Sequence, residues 1–265
     1  MRYLIVSVCF LISSEICTSQ NIRFSTSDKF ITREAVQGVA VGRNHFYTIN
    51  TRGIGKYDKE TGLFVTEWRM TEGKIIHLDG GIVIIDKLYC AHSNYPGIPM
   101  MSSIEIFSAE DLNHLGSHGF GAKYGSCTWA DYYKNSWWVC FAQYDQFRAA
   151  TGKGTEGTIL VRFDRKWHEK ESWTFPSEII TEVRPMSVSG GSWGPDGKLY
   201  VTGHDSAEVY ILKLPRAGSV LEYSGSARIE SRGQGIAWDR TEKNEFYGIV
   251  RKENAVVASK LTTGK

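Results

Sequence analysis

Five segments of this chain repeat one shape: a glycine, a short apolar strand, a tight polar turn and a second apolar strand. They are Gln37-Gly38-Val39-Ala40-Val41 with Phe46 to Ile49, Gly81 to Ile84 with Leu88 to Ala91, and Gly125 to Trp129 with Trp137 to Cys140. Gly191-Ser192-Trp193 with Leu199 to Thr202, and Gln234-Gly235-Ile236-Ala237-Trp238 with Phe246 to Ile249, complete the set. The leading glycines Gly38, Gly81, Gly125, Gly191 and Gly235 lie 43, 44, 66 and 44 residues apart. A period in the mid-forties with no helical periodicity points to propeller blades. The fold expected is all-β: a five-bladed β-propeller with four-stranded blades.

Third and fourth strands follow in each unit, rich in β-branched and aromatic residues: Gly53 to Tyr57 then Leu63 to Arg69, Ser103 to Phe107 then Asn113 to His118, Thr158 to Phe163 then Glu171 to Phe175, and Glu208 to Leu214 then Val220 to Ile229. The fifth unit stops after its third strand, Ala255 to Leu261, while Asn21 to Phe30 precedes the first unit without a partner. Together these predict a ring closed by the mature N-terminal strand. Such closure also removes a sheet edge open to aggregation.

Ahead of that strand, Arg2 precedes the apolar run Tyr3 to Ile12 and the polar stretch Ser13 to Gln20. This reads as a secretory signal peptide over residues 1–19, too short to span a bilayer. Its rivals are a lipid-anchored Cys17 and a buried first strand. Residues 20–265 then form one propeller domain of a secreted or periplasmic protein, expected to be a monomer. Lys and Arg number 31 against 29 Asp and Glu, which argues against nucleic-acid binding and against a polybasic membrane footprint. No stable membrane insertion is expected. Beyond the leader stand Cys90, Cys127 and Cys140, an odd number. Cys127 and Cys140 flank the turn Asp131 to Ser136, so one hairpin disulfide and two unbridged thiols are both open.

The stretch Gly194-Pro195-Asp196-Gly197-Lys198-Leu199-Tyr200-Val201-Thr202-Gly203-His204-Asp205 resembles the NHL and gluconolactonase-like (SMP-30) propeller repeat. His92 to Pro96 and Met100 to Phe107 are similar to secreted bacterial propellers loosely labelled cycloisomerases. The resemblance implies a small-molecule hydrolase, cyclase or isomerase. Where the lactonase-like family carries Glu-Gly-Pro with a metal-binding glutamate, this chain has Gln37-Gly38 and Gln234-Gly235. A divalent metal is therefore possible but not supported by the motif, and the cofactor is left unknown.

In an up-and-down sheet alternate connections share a face. The turns Gly42 to Asn44, Asp86-Lys87, Ser108 to Asp111, Asp164 to Lys166 and Pro195 to Gly197 are short and gather on one. The segments His92 to Ser102, Tyr144 to Gly157 and Pro176 to Gly190 are long and gather on the other, where binding residues are expected. Strand ends there place Asn50, His92, Gln143, His204 and Arg251 around the mouth of the central channel. Gln37, Asp79, Tyr124 and Gln234 begin innermost strands, and Arg52, Asn94, Tyr95, Asp145 and Asp205 lie beside them. His92 and His204 are the acid–base candidates, with Arg251 or Arg52 holding an anionic group. The partner expected is a small polar metabolite, possibly sugar-derived, or a glycan. A non-enzymatic binding propeller using the same loops stays open, as does a channel lined with polar residues only to satisfy strand ends.

Other signals carry less. Gly190-Gly191-Ser192-Trp193-Gly194 has the letters of a nucleophile elbow but sits at a repeat start, not at a strand–turn–helix junction. Gly152 to Gly157 fits a dinucleotide fingerprint but precedes a strand. His114 and His118 fall in an outer strand. His77 and Asp79 share one side of a strand and read as a solvated pair or a metal site. Trp129, Trp137, Trp138, Trp193 and Trp238 read as blade-to-blade packing on inner strands.

Overall fold

The computed structural model describes residues 22–73, 75–242 and 244–263; the leader expected at 1–19 lies outside them. The first strand, β1 (Ile22–Ile31), is followed by blade 1: β2 (Gly38–Val41), β3 (His45–Asn50), β4 (Gly53–Asp58) and β5 (Phe64–Arg69). Blade 2 holds β6 (Leu78–Ile84), β7 (Lys87–Ser93), β8 (Ser102–Ser108) and β9 (His114–Gly121). Blade 3 holds β10 (Ser126–Tyr133), β11 (Ser136–Ala142), β12 (Ile159–Phe163) and β13 (Glu169–Thr174). Blade 4 holds β14 (Gly190–Trp193), β15 (Leu199–Thr202), β16 (Glu208–Lys213) and β17 (Glu222–Arg228). Blade 5 holds β18 (Ala237–Trp238), β19 (Glu245–Val250) and β20 (Ala255–Thr263). These strands form five four-stranded antiparallel sheets, and the fifth is completed by β1 in the order β1-β20-β19-β18. The protein is a five-bladed propeller closed by its N-terminal strand.

Closure is held by packing as well as by the ladder. The β1 register runs from Ile22 opposite Thr263 to Ile31 opposite Ala255, with a bulge between Thr26 and Asp28. Phe24 lies 4.9 Å from Phe246 and 6.2 Å from Tyr200, against the blade 4–blade 5 core. Phe30 lies 5.1 Å from Phe46, reaching into the blade 5–blade 1 core. One strand thus helps seal two blade interfaces.

Five apolar cores fill the five junctions between neighbouring blades. Inner strands are therefore covered on both faces, and β2, β14 and β15 are buried at every position. An outer strand has one face in water, and β9 alternates exposed and half-buried along its length. The tryptophans pack as expected: Trp129, Trp138 and Trp193 in the blade 3–blade 4 core, Trp137 against blade 2, and Trp238 against blade 4. Trp137 and Trp138 stand on β11, the second strand of their blade, not on an innermost one.

At the axis the blades meet. A Cβ on Gly235 would lie 2.9 Å from the Gly38 Cα and 3.0 Å from the Gly80 Cα. Blade 2 therefore presents Gly80 to the axis, one residue before the repeat glycine Gly81, because β6 carries a bulge between Leu78 and Gly81. Gly191 is covered by the Trp129 indole. The backbone N–H of Gly235 donates to the Gln37 carbonyl at 2.8 Å, tying blade 5 to blade 1. Below this waist, toward the short turns, all five innermost strands or the turn after them line a cavity of about 10 Å³. That is room for about one water. The open channel assumed from sequence is closed, because three glycines allow three backbones to touch.

The hairpin disulfide does not form. Cys90, Cys127 and Cys140 are free and buried. A bulge between Cys127 and Trp129 sets Cys127 opposite Phe141 and Cys140 opposite Trp129. Burial pushes the Cys140 thiol up to about 12 and also raises Cys90 and Cys127.

Candidate functional site

The long-loop face carries the residues singled out from sequence in three groups, the first two of which touch through His77 and Tyr95. The first surrounds the axial end. Asp79, near the start of β6, is 6% exposed, and its Oδ2 is buried without a hydrogen-bond partner. His77 Nε2 lies 3.5 Å from that oxygen. Burial drives the Asp79 carboxyl well above the carboxylate range, partly offset by the Arg251 guanidinium. Burial and the neighbouring His92 lower His77 to about 4. Asp79 is buried and His77 half-buried, so the pair is less solvated than the sequence had suggested, with both members biased toward neutrality.

Arg251 follows β19, and its Nη1 lies 3.3 Å from His204 Nε2. His204 Nδ1 lies 2.6 Å from Asp205 Oδ2, and Asp205 is largely exposed. A guanidinium can only donate, so the His204 Nε2 accepts and its Nδ1–H donates to the carboxylate. Gln37 and Gln234 flank this group as braces. Gln37 donates Nε2–H to Thr51 Oγ1 at 3.3 Å. Gln234 donates Nε2–H to the His204 carbonyl at 3.2 Å and accepts the Thr202 hydroxyl on its own carbonyl at 2.6 Å.

The second group surrounds the loop between β7 and β8. His92 is buried at the end of β7; the Ile76 N–H donates to its Nε2 at 3.2 Å, and its Nδ1 lies 2.8 Å from Ser103 Oγ. Ser103 donates to Glu105 Oε1 at 2.6 Å, and His114 Nε2 lies 2.8 Å from Glu105 Oε2. Asn94 pins the loop, donating to the Pro99 carbonyl at 3.0 Å and accepting the Met101 N–H at 2.7 Å. Tyr95 packs 5.0 Å from the His77 ring, and its hydroxyl receives Gln146 Nε2–H at 2.9 Å. A pocket of about 210 Å³ opens beside Pro99, Met100, Lys123, Tyr124, Gln143 and Lys153. Gln143 donates to the Tyr124 carbonyl at 2.8 Å, while its Oε1 is buried without a partner. The Tyr124 ring stacks on Phe141 at 4.5 Å and its hydroxyl donates to Glu169.

The third group lies on blade 1. Asn50 donates to Glu34 and accepts the Arg52 N–H at 2.8 Å; Arg52 itself is exposed. His92 and His204, the two imidazoles the sequence placed in a common acid–base role, stand in different groups, His92 held by Ile76 and Ser103 and His204 by Arg251 and Asp205. Beside these groups, Arg148 and Arg184 clamp Asp145 and Glu156 at 2.6–3.3 Å and fix the 144–157 loop.

Sequence reading missed a fourth cluster, at the short-turn end of the axis. Asp131, 1% exposed, accepts the Trp193 N–H at 2.6 Å, the Tyr132 N–H at 2.6 Å and the Ser192 hydroxyl at 3.0 Å. Arg240 Nη2 donates to both its oxygens at 2.9 and 2.7 Å and Nη1 to the Trp193 carbonyl at 2.8 Å. Ser192 is therefore a peg between blades 3, 4 and 5 and not a nucleophile. The available signal was Asp131 itself, an acid inside an apolar inner strand. Among the described residues no cluster of three or more His, Cys, Asp or Glu side chains is arranged to hold a metal.

No protein-family model and no curated protein sequence matches the chain. Among solved structures it is similar to hydrazine synthase of Kuenenia stuttgartiensis, with TM-score 0.46 and 10% identity over 82% of this chain and 68% of that one. It is also similar to the WD40 repeats of RRP9, with TM-score 0.49 and 8% identity over 90% of this chain and all of that one. Neither likeness carries a function.

Proposed function

We propose that this protein is a ligand-binding propeller that captures a small, polar, anion-bearing molecule at the axial end of its long-loop face. The observation that carries the reading is Asp79: a buried carboxyl with an oxygen left without a hydrogen bond, next to an arginine. Such a group costs stability wherever it is not used. A protonated Asp79 would donate to a ligand hydroxyl, and Arg251 would hold a ligand carboxylate. This chemistry fits a sugar acid better than a neutral sugar. A secreted or periplasmic location, argued from the basic and apolar start of the chain, belongs to the same proposal.

The isomerase, cyclase or hydrolase reading through His92 and His204 is the weaker one. Each imidazole has both ring nitrogens engaged within the protein, so neither presents a ready base. Thermal melting with gluconate as probe and glucose as neutral control tests the binding reading. Gluconate is expected to raise the Tm of the wild type, glucose much less, and Arg251→Gln to remove the difference. A wild type indifferent to millimolar gluconate overturns the reading. Consumption of the probe, followed by NMR, would favour the enzyme instead.

A further inference from the structure

A second pocket, of about 520 Å³, opens on blade 2 between the start of β8 and the end of β9. His92, Asn94, Met101, Ser102, Ser103, Gly119 and Gly121 line it, and no Lys, Arg, Asp or Glu side chain does; the Ser102 hydroxyl is already engaged by the Gly125 carbonyl and the Cys127 N–H. We infer that this pocket is a binding site for a neutral aromatic molecule carrying one hydroxyl or N–H donor. The site differs from the axial one in charge.

The size suits two rings, within the range usual for small-molecule sites. The class follows from the hydrogen-bonding capacity of the walls. Because Ile76 donates to His92 Nε2, the ring proton sits on Nδ1 and is given to Ser103 Oγ. Ser103 in turn gives its own proton to Glu105. One lone pair on Ser103 Oγ is left, so this wall offers an acceptor and asks the ligand for a donor, while Asn94 keeps a second amide N–H that a ligand hydroxyl can accept. Glu105 is buried behind Ser103 and shared with His114. Its negative charge disfavours an anion, and no charge faces the cavity to compensate a desolvated cation. Met101 is half exposed at the rim, where a thioether packs well against a ring edge.

The glycines make the pocket. A Cβ built on either Gly119 or Gly121 meets nothing within 4 Å, so both open onto empty space. Gly121 has φ +64°, which disfavours any side chain there, whereas Gly119 has no such restriction. Gly119→Leu has room at its Cβ and would place an isobutyl group at the cavity wall.

The probe is 2-naphthol, with 2-naphthoate as its anionic counterpart, titrated at neutral pH by calorimetry and saturation-transfer NMR. Saturable one-site binding of 2-naphthol is expected, with 2-naphthoate and the Gly119→Leu variant each about tenfold weaker or worse. Absence of saturable binding, equal binding of the anion, or undiminished binding to folded Gly119→Leu overturns the inference. Should Gly119→Leu fail to fold by circular dichroism, Met101→Asp at the exposed rim must produce the same loss, and full retention there is equally fatal.

Discussion

Two buried aspartates sit at opposite ends of the propeller axis, one on each side of the glycine waist. Asp131, on β10, accepts two backbone N–H groups, a serine hydroxyl and an arginine, and so links blades 3, 4 and 5. Asp79, on β6, is nearly as deeply buried, yet its Oδ2 finds no donor and His77 stands off at 3.5 Å. The fold needs one carboxylate and merely tolerates the other. It is this unsatisfied buried acid on which the proposed ligand-binding reading rests.

Removing the satisfied acid should have the largest effect. Asp131→Ala strands the Arg240 guanidinium and two backbone donors, at a cost of about 3–5 kcal/mol by urea denaturation. A loss below ~1 kcal/mol would put Asp131 on the same footing as Asp79 and dissolve the contrast. Next in size is the imidazole beside Asp79. His77 falls from 6.5 in the unfolded chain to about 4 in the fold, so the unfolded state binds the proton first as pH drops. Stability is then complete above pH 6.5 and declines through the window down to pH 4, by at most about 3 kcal/mol. His77→Phe should flatten that decline; an unchanged acid limb would show that His77 titrates normally.

The waist itself can be probed at one atom. On Gly235 a methyl would press on the Cα atoms of Gly38 and Gly80, which are backbone and cannot rotate away. Gly235→Ala should therefore cost about 1–3 kcal/mol in chemical denaturation, while Gly119→Ala, in open space, changes stability by less than ~1 kcal/mol. Equal effects would mean that the blades part easily at the axis.

Blade number and ring closure were legible because both write a period into the chain: the glycine-led double strand recurs, and a fifth unit short of one strand leaves β1 to supply it. The axial site was legible only as a list of polar strand ends. Strand order says which residues reach a face, but not how far each stands from the axis. His92 and Asn94 reach the expected face yet turn to a pocket on the outer strands of blade 2. The closed waist depended on a bulge that brings Gly80 forward instead of Gly81, and a one-residue shift leaves no mark in the repeat. Asp131 and Arg240 were invisible for another reason. Their partnership joins residues 109 positions apart, through a contact that only the closed ring creates.

The effect expected at Asp79 is the most telling, because its sign is opposite to the others. Burial raises the folded Asp79 carboxyl above its ordinary 3.8, so as pH climbs past that value the unfolded chain ionises first and gains relative to the fold. The penalty is absent below pH 3.8, where both states hold the proton, and grows toward neutrality until the folded group also ionises. Asp79→Asn keeps the shape and cannot ionise. The variant should therefore be more stable than wild type at pH 7, by about 0.5–2 kcal/mol, with the advantage vanishing in acid. It should also lose the stabilisation that gluconate confers on the wild type, if Asp79 is kept for the ligand. A variant less stable at pH 7 would mean that the carboxyl has a partner in the fold, and Asp79 would then join Asp131 as a structural acid.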